Sequence, residues 1–171
     1  MAESVAFSKT ADRSVIYSEI TPQIDALISD EPDLTANLAN VTAVLKEALG
    51  FFWVGFYLKK QDQLVLGPFQ GPVACTRIDF GKGVCGHAYS TAETVIVPNV
   101  DEFPGHIACS SDAKSEIVVP IFDSDRKVFG VLDVDSDRLN DFSDVDRDGL
   151  TQIVNVIERV IRSHTNSDKL E

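Results

Sequence analysis

The chain has few cysteines, no surplus of basic charge and no long apolar run, and each shortage removes a class of function. Lys and Arg number 15 against 27 Asp and Glu, a net charge of −12. Self-repulsion of that kind favours solubility and argues against a nucleic-acid or anionic-membrane partner. No apolar run approaches the roughly 20 residues of a membrane span. The N-terminus, Met1-Ala-Glu-Ser, lacks a basic region followed by an apolar one. No signal peptide is therefore expected, and the cytoplasm is the expected location. Three cysteines are an odd number and a poor disulfide framework. Reduced thiols are the default there, and any disulfide is expected to be catalytic rather than structural. Cys75, Cys85, Cys109, His87 and His106 are metal-binding residue types, but no CxxC pair is present, so no metal site is expected. Repeats, linkers and low-complexity tracts are also missing.

What remains is an ordinary globular composition: 171 residues, 44% apolar and 25% charged. That fits one domain over residues 1–171 with a sizeable core. The core is expected over about 12–162, with flexible ends at 1–11 and 165–171. Ile16, Ile20, Ile24 and Leu27/Ile28 repeat at helical spacing, with Pro22 predicting a kinked helix or two short ones. Asp33 reads as the N-cap of a second helix, whose stripe runs from Leu34 to Leu49 and which Gly50 ends. Strands are predicted over 51–58, 64–66, 73–78 and 95–97, with a short helix over 84–91 between the last two. Residues 116–122 and 128–135 give a strong hairpin signal around a polar turn. Ser143 with Asp146 resembles a capping box opening a last helix, with Leu150, Ile153/Val154, Ile157 and Val160/Ile161 as its stripe. This order predicts an α+β fold. A mainly antiparallel sheet of about six strands carries the terminal helices on one face and a loop-built pocket on the other.

The unusual chemistry is concentrated. All three cysteines and two of the three histidines fall between Val73 and Cys109, among Gly81-Lys-Gly83, Gly86 and Pro104-Gly105. A site is well carried on such loops between rigid elements. Alternation places Trp53, Gly55 and Tyr57 on one strand face and Phe52, Val54, Phe56 and Leu58 on the other. The first set serves equally as a ligand wall or as packing under a helix. In the hairpin, Phe129, Val131, Asp133 and Asp135 share a face, the two carboxylates about 6.6 Å apart. Glu116 falls roughly opposite them. Three converging carboxylates attract a cation such as an ammonium group. They also raise one another's pKa, which supplies a proton donor near neutral pH. A solvated face or a metal-binding cluster is the plainer reading of the same acids, and buried inert thiols the plainer reading of the cysteines. A thiol, an aromatic wall and such an acid suit thiolate attack on a sulfoxide sulfur. Composition and spacing alone do not single that reaction out.

The segments Trp53-Val-Gly-Phe-Tyr57, Leu66-Gly-Pro-Phe-Gln-Gly-Pro-Val-Ala-Cys75, Gly81-Lys-Gly-Val-Cys-Gly86, Gly105-His-Ile-Ala-Cys109, Ser115-Glu-Ile-Val-Val-Pro120 and Gly130-Val-Leu-Asp-Val-Asp-Ser136 closely resemble the free methionine-(R)-sulfoxide reductases, enzymes with a GAF domain. The resemblance implies a GAF fold and reduction of the free amino acid. It implies turnover by thioredoxin as external reductant, with NADPH supplied through thioredoxin reductase and no bound cofactor; it also allows a homodimer. It makes Cys109 the nucleophile, Cys75 the resolving cysteine and Cys85 a third thiol able to form an alternative disulfide. Glu116, Asp133 and Asp135 become substrate-binding residues, with Glu116 and Asp135 as proton donors. Trp53 and Tyr57 become the pocket aromatics. The competing expectation is a GAF module that senses a small ligand such as a cyclic nucleotide. An acidic pocket repels phosphate, and no effector domain is attached in this sequence.

Overall fold

The computed structural model describes residues 4–107 and 109–167, the last three of them by backbone alone. Its centre is one six-stranded antiparallel sheet, ordered β3-β2-β1-β6-β5-β4. The strands are β1 (Trp53–Lys60), β2 (Gln63–Gln70), β3 (Arg77–Asp79), β4 (Val95–Val97), β5 (Ser115–Phe122) and β6 (Val128–Ser136). Helices α1 (Arg13–Ile28), α2 (Leu34–Leu49) and α4 (Asp144–Ser167) pack on one face, and the shorter α3 (Gly83–Thr91) on the other. This is the expected α+β arrangement. Among the described residues no helix is long and apolar enough to cross a membrane.

The local signals act as their chemistry requires. Asp33 accepts the Ala36 N–H, and Gly50 closes α2 at φ 65°, a left-handed conformation that suits glycine. At the start of α4 the Ser143 N–H donates to the Asp146 carboxylate, and the Ser143 hydroxyl accepts from the Val145 N–H. Helix α1 runs unbroken through Pro22. Burial of Ile16, Ile20, Ile24 and Ile28 along one face outweighs the hydrogen bond that Pro22 cannot make. Ahead of α1, Val5 and Phe7 pack on the core, and Ala6 exchanges hydrogen bonds with the Gln23 side chain. The C-terminal end expected to be loose from 165 lies in α4 to Ser167 and beyond that outside the described residues, as do 1–3.

Helices α1 and α4 meet at a glycine. Any Cβ at Gly149 would overlap the ring of Tyr17. That ring is fully buried and pinned by its hydroxyl, which donates to Asp146 at 2.9 Å. Gly149→Ala is therefore expected to destabilise the fold by about 1–3 kcal/mol, the usual cost of overpacking. Denaturant titration measures it; an unchanged midpoint would mean that the ring yields freely.

Two strands differ from expectation. Strand β2 continues to Gln70 through Gly67 and Pro68. Its register with β1 slips between Gly55 and Tyr57, so Pro68 sits in an irregular stretch where its missing N–H is tolerated. Residues 73–76 form no strand; only Arg77–Asp79 does, leaving Cys75 in a connecting segment.

Candidate active site

The sheet sorts its side chains by alternation. On β1, Val54 and Phe56 join the helix-covered core, while Trp53 and Tyr57 join the α3 side. Phe52, expected with Val54, packs on the α3 side because it lies ahead of the strand. On β6, Val131, Asp133 and Asp135 face the α3 side. Phe129 does not: the β5–β6 register slips at Ile121/Phe122, and this bulge turns Phe129 to the helix core.

Pairing then fixes the acids. Glu116 lies directly opposite Asp135, and Val118 opposite Asp133. Asp135 in turn neighbours Trp53, and Asp133 neighbours Gly55 on β1. All three carboxylates, both aromatics, Cys85 and Cys109 line one pocket, open at its mouth. Gly55 matters here because a Cβ would overlap the Trp53 ring. Without one, the indole lies flat over the strand, stacked at 6.0 Å on Tyr57 and at 5.4 Å on Phe69.

The aromatics also hold the segment that carries a cysteine. The Trp53 indole N–H donates to the Pro72 carbonyl at 3.0 Å, and the Tyr57 hydroxyl to the Cys75 carbonyl at 2.8 Å. A disulfide joins Cys75 to Cys109, which are 34 positions apart, and Cys85 is the buried free thiol. Cys109 faces the pocket and Cys75 is not among the lining residues. Beside the disulfide, Val73 is 87% exposed.

Burial and mutual repulsion set the protonation states. Glu116 and Asp133 are each only 6% exposed. Burial, then the charges of Asp133 and Asp135, push the Glu116 carboxyl well above the ordinary carboxylate range. Burial and the Asp133 charge do the same to Asp135. Burial raises Asp133 too, but hydrogen bonds from Cys85 and Glu116 hold it to about 6. Asp133 is thus the member that ionises first as pH rises, while Glu116 and Asp135 are shifted toward their protonated forms. Burial, reinforced by Asp133 and Glu116, lifts the Cys85 thiol well above its usual value and keeps it protonated. Its Sγ lies 3.9 Å from Glu116 Oε1.

The two loop histidines part company. His106 lines the pocket, and partial burial lowers its pKa. Its position three residues before Cys109 was the available sequence signal. His87 stays outside, edge-on to the Phe103 ring.

Residues 33–161 match the GAF domain family. The chain is 42% identical to the free methionine-R-sulfoxide reductase of Escherichia coli, over 88% of this chain and 91% of that protein. It is 54% identical to GAF domain-containing protein A of Dictyostelium discoideum, over 92% and 99% of the two. Among solved structures, that of free methionine-R-sulfoxide reductase from Neisseria meningitidis, in complex with its substrate, superposes with a TM-score of 0.92. The identity is 50%, covering 96% of this chain and 98% of that one.

Proposed function

The chain belongs to the GAF-domain family and, within it, to the free methionine-R-sulfoxide reductases, and from that membership we propose that it reduces free L-methionine-(R)-S-oxide to L-methionine with thioredoxin as the external dithiol. The observation that carries the reading is the shared pocket. It presents Cys109 together with the acid cluster, while Cys109's disulfide partner lies off the wall.

In the reduced protein the Cys109 thiolate attacks the sulfoxide sulfur. The sulfoxide oxygen takes one proton and passes to the Cys109 sulfur as its bond to the substrate sulfur breaks, so methionine departs reduced by two electrons and Cys109 is left oxidised by two as a sulfenic acid. Glu116 or Asp135, held protonated by burial, supplies the proton. Asp133, the ionised member, holds the substrate ammonium. Trp53 and Tyr57 wall the methyl sulfoxide end. The Cys75 thiol then displaces water from the sulfenic acid and forms the disulfide, which a dithiol reduces. The same two aromatics fix the backbone at 72–75, so they also aim Cys75.

NADPH consumption with thioredoxin and thioredoxin reductase, on each diastereomer of free methionine sulfoxide, tests the whole reading. Turnover is expected on the R form alone. A ligand sensor turns over neither, and that result would overturn it. Cys75→Ser is expected to form about one equivalent of methionine per enzyme and then to stall, because its sulfenic acid lacks the condensing thiol. Undiminished thioredoxin-dependent turnover would transfer the resolving role to Cys85.

A further inference from the structure

The proposed cycle leaves Cys85 unused, yet this thiol shares the pocket floor with two carboxylates. One ligand atom each from Cys85, Glu116 and Asp133 lies within 4.8 Å of the others, all three residues being buried. We propose that these residues form a zinc-binding site and that zinc held there excludes the substrate's ammonium group.

The geometry is close to what zinc requires. Zn–S and Zn–O bonds of about 2.3 and 2.0–2.2 Å put tetrahedral ligand atoms about 3.3–3.6 Å apart. The 3.9 Å between Cys85 Sγ and Glu116 Oε1 closes to that with a small side-chain adjustment. A second observation is independent of the cluster's composition: Asp133 Oδ1 is buried and has no hydrogen-bond partner among the described residues. A buried carboxylate oxygen left in that condition is costly, and a cation relieves the cost. One sulfur with two carboxylate oxygens suits a borderline-soft ion and disfavours magnesium or calcium, which take six or more oxygens. The fourth coordination position opens to the pocket, where water completes the shell. Binding is a proton exchange: the Cys85 thiol and the Glu116 carboxyl each release a proton to solvent, so affinity rises with pH. No electron moves.

The exclusion of substrate rests on the function proposed above; the metal site does not. The disulfide form of the full chain makes the test specific, because Cys85 is then the free thiol. Cobalt(II) added to that form is expected to give a sulfur-to-metal charge-transfer absorption that zinc abolishes. Cys85→Ser should remove the absorption. Asp133→Asn, which keeps the thiol and the side-chain shape, should weaken zinc binding by about 10-fold or more. Free methionine should weaken zinc binding competitively in the wild type. Absence of the absorption, or zinc affinity unchanged in Asp133→Asn, overturns the site. Zinc binding indifferent to free methionine overturns the exclusion alone. Zinc binding by a protein that turns over no methionine sulfoxide sinks the reductase reading and leaves the site standing.

Discussion

Cys109→Ser is expected to abolish methionine formation even in a single turnover. Two thiols reach the pocket, Cys109 and Cys85. Nucleophilic attack needs a thiolate. Cys85 is buried among acids, and burial and their charges hold its proton in place. The acids proposed to hold the ammonium and to protonate the departing oxygen thus also disable Cys85 as a nucleophile. Cys109 is partly exposed, on a loop at the pocket wall. It is joined to the one cysteine whose backbone the pocket aromatics grip. A serine hydroxyl in its place cannot attack sulfur usefully, and loss of a nucleophile costs on the order of 10⁴–10⁶ in rate. Pre-reduced protein mixed with excess free methionine-(R)-sulfoxide, without external reductant, provides the measurement. The wild type should yield about one methionine per enzyme and Cys109→Ser none. One equivalent from the variant would make Cys85 the attacking residue.

The sequence reports most of the scaffold because the scaffold is periodic. The stripes of α1, α2 and α4 and the alternation of β5 and β6 follow from burial on one side. The hairpin brings Glu116 near Asp133 and Asp135, but the shared face depends on the bulge at Ile121/Phe122: counted from Phe122 opposite Val128 without it, Glu116 would fall opposite Val134 rather than Asp135. The signals that mislead are local ones overridden by tertiary pairing. The strand expected over 64–66 runs on through Gly67-Pro68 to Gln70, because β1 supplies a partner on both sides of that irregular stretch. Phe129 obeys alternation by count and breaks it in space, because one bulge shifts the register. The segment around Cys75 has strand-like residues but is held by two side chains, Trp53 and Tyr57, that lie 19 and 18 positions earlier. The second task of those aromatics was invisible for the same reason: a side-chain hydrogen bond across a loop leaves no periodic trace. So too with His106, a polar loop residue by every local measure, which the fold turns toward the pocket.

Glu116→Gln is expected to lower kcat/KM by about 10²–10⁴-fold, the usual contribution of a general acid. The amide keeps the shape and a hydrogen-bond donor, so the loss isolates the transferable proton. Asp135→Asn should act in the same direction, since burial and the Asp133 charge raise that group's pKa too. Asp133 has a different task and a different signature. It is the member that ionises, at about 6. Its anionic form is present above that pH and disappears as pH falls through it. KM for the free amino acid should therefore rise below about pH 6, with kcat moving less, as the ammonium loses its counter-ion. Acetylating the substrate amine removes the same attraction from the other side and should cost the wild type activity at every pH. Steady-state assays of free and N-acetylated methionine-(R)-sulfoxide across pH, with the wild type and both amide variants, separate these roles. Equal rates on the free and acetylated forms would sink the ammonium contact. Amide variants at full rate would reduce the acid cluster to a buried feature without a catalytic role, and Asp133's titration would then have no reason to appear in KM.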